Sequence, residues 1–221
     1  MSLCPLCQQR PPRRICPALS NQICARCCGE ERERTIQCPW ECEHLMEARA
    51  HEPRNRLPEA LPNREFRVDE SFIQKNSGLV QTLVSTVYFS ADQTQAVDLD
   101  VREVLQSVIA ERLGSEAPVD REMVDREMVD RKPVEREPVK RETAKPMLTA
   151  VLGRMERFQL AAKADGVHFP EEDITMVLVF IQRQEYLFNN QRALGRAFLQ
   201  LLQLQIVSHM ASSGYDIERL E

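Results

Sequence analysis

Apolar side chains recur at the spacing of an α-helix in two long parts of the chain, residues 65–117 and 143–221. In the first part, one helix is predicted around Leu79–Tyr88, although the valines and threonines there leave a β-strand as the alternative. A second helix is predicted to begin at a capping box of Asp100 and Glu103 and to end at Gly114. Its expected buried face consists of Val101, Val104, Leu105, Val108, Ile109 and Leu113.

Three further helices are predicted within residues 143–221. One runs from about Pro146 to Asp165, with Met147, Leu148, Val151, Leu152, Met155 and Phe158 facing inward. The next begins at Pro170, and its ITMVLVFI segment is apolar on every side, which indicates the most buried element, a central helix or a strand. The last carries Leu194, Phe198, Leu201, Leu202 and Ile206. We therefore expect a mostly α fold, an all-α helical bundle in which residues 143–221 pack with residues 65–117.

A five-residue repeat, which begins VDREMVDREM, lies within residues 118–142 between the two helical parts. A period of five matches neither a helix nor a strand, and Pro133 and Pro138 would break a long helix. Acidic and basic residues nearly cancel, so we expect a disordered low-complexity insertion, with a docking array for a partner as the alternative. Residues 53–64 carry three prolines and are predicted to form an extended linker.

The composition, with 43% apolar and 29% charged residues, is typical of a globular protein. The net charge of −5 does not favour broad binding to nucleic acid or to anionic membranes. No apolar stretch has the length of a membrane span, and the start MSLCPLCQQR lacks the apolar core of a secretion signal. We expect a soluble, cytoplasmic protein.

All eight cysteines lie between positions 4 and 42, in a predicted zinc-binding module of residues 1–52. Clustered cysteines in a chain without a secretion signal are more often metal ligands than disulfides. The pairs Cys4/Cys7 and Cys24/Cys27 are separated by sixteen residues, a spacing that predicts one tetrahedral zinc site. Any four of the remaining candidates would complete a second site, namely Cys16, Cys28, Cys38, Cys42 and His44.

The prediction is therefore two structural zinc ions, with an iron–sulfur cluster and disulfides as the alternatives. His44 is either a ligand that competes with Cys42 or a helix-capping side chain. Residues 1–44 hold few large apolar side chains, so we expect this segment to be disordered without metal.

The interleaved order of these cysteines resembles the cross-brace arrangement of B-box, MYND and HIT-type zinc fingers over residues 1–44. The segment is also similar to the cysteine-rich start of uncharacterised bacterial zinc-finger-like proteins. The resemblance implies two interleaved zinc sites, and it carries no activity with it.

The sequence favours a non-catalytic protein-interaction or regulatory role. It contains no phosphate-binding glycine loop, no Gly-x-Ser-x-Gly elbow and no His-Glu-x-x-His helix, so we expect no enzyme activity. The apolar content of LGRAFLQLLQLQIV exceeds one narrow stripe and suits pairing with a helix of a protein partner or of a second copy. An internal core helix is the favoured interpretation of the same segment, and pairing with another chain is the alternative.

Nucleic-acid binding through the zinc module is the alternative function. Six arginines resemble a phosphate-binding set: Arg10, Arg13, Arg14, Arg26, Arg32 and Arg34. However, the formal charge of residues 1–44 falls from +1 to about −3 once eight thiolates bind two zinc ions. This balance makes nucleic acid a less favoured partner than protein.

A polar segment, Asn189–Arg196, separates two strongly apolar stretches. We expect a helix–turn–helix junction in which Asn189 or Asn190 caps a helix and Gly195 allows close packing. The alternative is an anion site, built on Arg192 and Arg196 one helical turn apart.

Overall fold

The computed structural model describes residues 2–52, 55, 62–114 and 143–212. The predicted insertion of residues 118–142 lies outside the described residues, as does most of the predicted linker of residues 53–64. Both assignments therefore stay predictions.

The cysteine-rich N-terminus, here the cysteine module, contains one hairpin and two short helices. Its elements are β1 (Arg14–Cys16), β2 (Asn21–Ile23), α1 (Ala25–Glu31) and α2 (Glu43–Arg49). The two strands pair antiparallel, with Arg14 opposite Ile23. Apart from cysteines, the buried apolar side chains of this module are Ile23, Ile36 and Leu45. So little aliphatic burial is a weak driving force for folding.

Six helices make up the rest of the described chain, here the helical part. They are α3 (Glu70–Lys75), α4 (Ser77–Thr94), α5 (Asp98–Leu113), α6 (Ala144–Ala164), α7 (Glu171–Phe188) and α8 (Ala197–Ser212). The predicted mostly α fold is confirmed, and both segments with a strand alternative are helical, in α4 and α7. Among the described residues, no helix combines the length and the apolar character needed to cross a bilayer.

Helix α7 packs against α4, α5 and α8, while α6 packs on α4 and α5. The fully buried apolar side chains of α7 are Ile174, Val177, Leu178, Val179 and Ile181. Two leucines expected in the core, Leu113 and Leu152, are exposed. Leu113 is the last residue of α5, and Leu152 lies about 100° around α6 from the buried Val151, so both fall outside the inward face.

The start of α5 differs from the prediction. Its N-cap is Val97, and Asp100 is the third helical residue, whose carboxylate accepts a 2.9 Å hydrogen bond from the Val97 amide. The capping box predicted from Asp100 and Glu103 is therefore wrong by one turn. The helix begins earlier because Asp98, its first residue, is itself buried and accepts bonds from the start of α8.

The chain between α7 and α8 forms a loop over residues 189–196. The prediction that Arg192 and Arg196 share a helical face is wrong, and Leu194 also precedes α8 instead of lying within it. Asn189 caps the end of α7 as expected, since its side-chain amide donates to the carbonyl of Glu185 at 2.8 Å. Close packing at Gly195 is confirmed in the same loop.

Candidate metal centre

The thiols of Cys4, Cys7, Cys24 and Cys27, here the four-cysteine cluster, converge on one point. All four Sγ atoms lie within 4.8 Å of one another, and the Sγ atoms of Cys7 and Cys24 are 3.9 Å apart. Four sulfurs placed tetrahedrally about 2.3 Å from a zinc ion would stand about 3.8 Å from each other. The four sulfurs therefore lie close enough together to bind one metal ion.

Two local turns produce this convergence. Between Cys4 and Arg10 the chain folds back, with the Gln8 amide bonded to the Cys4 carbonyl at 2.8 Å and a left-handed φ of 51° at Gln8. Cys24 is the N-cap of α1, and Cys27 lies three residues later in its first turn. In each pair, the two-residue gap places both sulfurs on the same side of a tight turn.

Backbone amides point at the sulfurs of the cluster. The Cys24 amide donates to the Sγ of Cys4 at 3.3 Å, and the Cys27 amide donates to the Sγ of Cys24 at 3.4 Å. Hydrogen bonds of this kind favour the thiolate over the thiol, as does the N-terminus of α1. At Cys4 these amides favour the deprotonated form that binds metals.

The acidities within the cluster differ. Burial raises the pKa of Cys4, but the amides of Cys24, Cys7 and Leu6 lower it more, and the resulting pKa is about 6. The Gln9 amide lowers the pKa of Cys7. Burial and hydrogen bonds with the other three thiols raise the pKa of Cys27 well above its ordinary value. Four thiolates this close repel one another, and a divalent cation among them would remove that repulsion.

The remaining predicted ligands lie elsewhere. Cys16, Cys28, Cys38 and Cys42, here the second cysteine set, line a separate cavity. Burial raises the pKa of Cys38 to about 11. His44 lies outside both groups, with its Nε2 3.6 Å from Glu43 and its Nδ1 3.9 Å from Glu47. No disulfide joins any of the eight cysteines, all of which fall within the described residues 2–52.

Glu33 connects the cysteine module to the helical part, and it was not singled out from the sequence. Its side chain is buried, its φ is 53°, and one oxygen lies 2.5 Å from the Arg49 guanidinium. The same carboxylate accepts bonds from the side chain of Asn190 at 2.7 Å and from the amide of Arg196 at 3.1 Å. A glutamate inside the charged run EERER has the pattern of a solvated residue, so no sequence signal marks it.

Trp40 forms a second contact between the two parts. Its ring centroid lies 6.3 Å from that of Tyr88 in α4, and the Arg196 guanidinium stacks 4.3 Å above the indole. The Arg192 side chain also donates to the carbonyls of Gly29, at 3.3 Å, and of Arg32. The predicted polar junction of residues 189–196 is therefore the surface on which the cysteine module docks.

Several arginines of the proposed phosphate-binding set have partners within the protein. The guanidinium of Arg14 donates to the Sγ of Cys28 at 3.5 Å, and Arg32 donates to the carbonyl of His44 at 3.4 Å. Arg26 pairs with Glu30 at 2.7 Å on the surface of α1. In these contacts the guanidinium groups use N–H donors that would otherwise bind the phosphates of a nucleic acid.

Comparison with known proteins gives no assignment, because no family model, curated protein or solved structure matches this chain. The four-cysteine cluster is compatible with a zinc-binding module, as the resemblance to cross-brace fingers implies. The cluster does not assign the chain to a family. The functional argument therefore depends on the geometry of the cysteine module itself.

Proposed function

We propose that this chain is a non-catalytic zinc protein in which the four-cysteine cluster binds one structural Zn²⁺. The observation that carries the proposal is the spacing of the cluster, with all four sulfurs within 4.8 Å and one pair at 3.9 Å. Sulfur-only tetrahedral coordination is the usual form of structural zinc sites in proteins. Cysteines without disulfide bonds are also typical of the reducing cytoplasm, which is the location that the sequence favours.

Zinc suits this donor set better than an iron–sulfur cluster. In a [4Fe–4S] cluster each thiolate binds a different iron, so the sulfurs stand further apart than the ligands of a single ion. A catalytic zinc would keep one coordination position open for water, whereas four thiolates fill all positions. The proposed role of the metal is therefore to fold the cysteine module and to keep it docked on α4 and on the loop before α8.

The Trp40 contact supplies a test of this role, because the chain contains one tryptophan. Trp40 is partly buried against the helical core beside Tyr88 and Arg196. Removing zinc from the full-length protein with EDTA should unfold the module and shift the Trp40 emission to longer wavelength. Restoring zinc should reverse the shift. An emission spectrum that is the same with and without metal would contradict a zinc-dependent fold.

The interaction role is proposed to be self-association through α8. Residues 197–212 contain no Asp, Glu, Lys or Arg, and the solvent side of α8 leaves Leu204 61% and Val207 46% exposed. Because the helix has no Asp, Glu, Lys or Arg, two copies of it can pack face to face without repulsion between such charges. A second copy of this chain is therefore the occupant that this surface fits.

Light scattering on the purified protein tests the self-association. We expect a dimer for the wild-type chain and a monomer for Leu204→Lys combined with Val207→Lys, since two charges would have to be buried in the pairing. Leu160→Lys is the matched control, because Leu160 is equally exposed on α6. A wild-type monomer at micromolar concentration would contradict the assignment. The arginine contacts described above disfavour nucleic acid as the partner.

A further inference from the structure

The second cysteine set surrounds one small cavity in the cysteine module. Its members come from four places: the end of β1, the middle of α1, the loop after α1 and the residue before α2. The rest of the lining is mainly apolar, with Ile23, Ile36 and Leu45 among it. The cavity leaves a free volume of about 10 Å³, which is room for a single water-sized particle.

Helix geometry explains why two adjacent cysteines, Cys27 and Cys28, belong to different groups. Successive residues of an α-helix project about 100° apart, so neighbours cannot point at the same ion. Cys27 belongs to the four-cysteine cluster, and Cys28 lines the cavity on another side of α1. Helix α1 is thus shared between two groups of sulfurs.

We propose that Cys16, Cys28, Cys38 and Cys42 form a second metal centre, which binds one Zn²⁺. The proposal extends the proposed function to a second ion of the same chemistry. Sulfur is the only metal-binding side-chain donor in the cavity lining, and a set of four thiolates selects zinc among the common divalent ions. His44 is excluded from the ligand set, because it does not line the cavity and its imidazole lies beside two glutamates.

The second set is more open than the first. Among the described residues, only the four-cysteine cluster has ligand atoms that all lie within 4.8 Å of one another. The second set would therefore contract around its ion. Cys38 lies in the loop over residues 37–40, which has neither helix nor strand, so its sulfur can approach the others without breaking helical or sheet hydrogen bonds. One cationic donor is already directed at this set, from Arg14 to the Sγ of Cys28 at 3.5 Å.

A metal here would cross-link segments that the first centre does not hold. The four-cysteine cluster fixes the N-terminal turn to α1, whereas the second set bridges β1, α1 and the loop that carries Trp40. Glu33 and Trp40, which contact the helical part, both lie between Cys28 and Cys42. The second ion would thus hold the docking residues in place.

Thiol footprinting of the full-length zinc protein under reducing conditions tests the second centre. Cys7 and Cys28 are both half-buried, so burial alone does not protect them differently, whereas the raised pKa of Cys38 slows its reaction in any state. We expect iodoacetamide to modify Cys7 and Cys28 slowly, and about tenfold or more faster after EDTA, because a metal-bound sulfur is a poor nucleophile. Native mass spectrometry of the same sample should show two Zn²⁺ per chain.

Two variants sharpen the result. Cys38→Ser should expose Cys28 to iodoacetamide and lower the content to one Zn²⁺ while Cys7 stays protected, and His44→Ala should retain both ions. If Cys7 is protected while Cys28 reacts freely with one ion bound, the second centre is refuted and the proposed function stands. If Cys7 and Cys28 react rapidly before EDTA, both proposals fail. A disulfide within the second set, seen without reductant as a mass lower by two hydrogens, would also refute it.

Discussion

The carboxylate of Glu33 accepts a 2.7 Å hydrogen bond from the side-chain amide of Asn190, 157 residues further along the chain. Glu33 is 1% exposed and also pairs with Arg49, so one buried anion serves both the cysteine module and the loop before α8. A charge in such a place is tolerated only when it is paired and hydrogen-bonded. This contact makes the cysteine module part of the stability of the whole fold.

Replacing Glu33 with Ala should lower the free energy of unfolding by about 3 kcal/mol, because Arg49 and Asn190 would then be buried without their acceptor. The matched control is Glu30→Ala, which breaks the exposed pair with Arg26 and should cost about 0.5 kcal/mol or less. Urea unfolding at constant zinc measures both. Equal losses for the two variants would show that the Glu33 network does not couple the parts.

Asp98 caps α8 from the first position of α5. Its two carboxylate oxygens accept bonds from the amides of Phe198 at 3.0 Å and Leu199 at 3.1 Å, which are unbonded donors of the first turn of α8. Complete burial raises the pKa of Asp98 to about 8 although these amides act to lower it. The unfolded chain would have a pKa of about 3.9 for the same group.

A raised carboxyl pKa makes the contribution of Asp98 to stability largest at low pH and removes it as the pH rises towards 8. Between pH 6.5 and 8.5 the wild type should therefore lose about 2 kcal/mol relative to Asp98→Asn, which does not titrate. Asp69→Asn is the control, because the Phe72 amide lowers the pKa of Asp69 and keeps it ionised throughout this range. Urea titrations at the two pH values test this, and a difference between wild type and Asp98→Asn that is independent of pH would contradict it.

Gly195 lies where no side chain fits. A Cβ there would stand 2.1 Å from the Oδ1 of Asn190 and 3.0 Å from the carbonyl of Arg192. Gly195→Ala should cost about 2 kcal/mol, since Asn190 would have to leave its bond to Glu33. Gly78→Ala, in the first turn of α4 with no atom within 4 Å of its Cβ, should be neutral or stabilising. Thermal melts compare the two, and similar shifts would contradict the close contact.

The helices were predictable because their signal is periodic and local. The apolar spacing in α4, α5 and α7 identified both the elements and most buried residues, as Val101 and Leu178 show. The end of α5 at Gly114 was also predictable, since that residue has the left-handed φ of 63° that glycine adopts readily. The start of α5 was not predictable, because Asp98 accepts hydrogen bonds from α8, about 100 residues further along the chain.

The four-cysteine cluster was predictable from paired spacing, since each pair is closed by a tight local turn. The docking residues were not. Glu33 and Trp40 can be identified as docking residues only once α4 and the start of α8 are placed against the loop after α1. No local sequence pattern encodes that arrangement. Arg192 and Arg196 stand out in the sequence as a polar pair, but not as contacts of the cysteine module, where Arg192 donates to the Gly29 carbonyl and Arg196 stacks on Trp40.

The zinc content of purified Cys7→Ser tests the central claim most directly. Removing one of the four thiolates should abolish binding at the four-cysteine cluster, because the remaining three sulfurs leave the tetrahedral site incomplete. Leu3→Ser, at a neighbouring exposed position, is the matched control and should keep the wild-type content. Elemental analysis with protein quantification should show one Zn²⁺ fewer per chain in Cys7→Ser than in Leu3→Ser. An equal zinc content in the two variants would contradict the assignment of the centre.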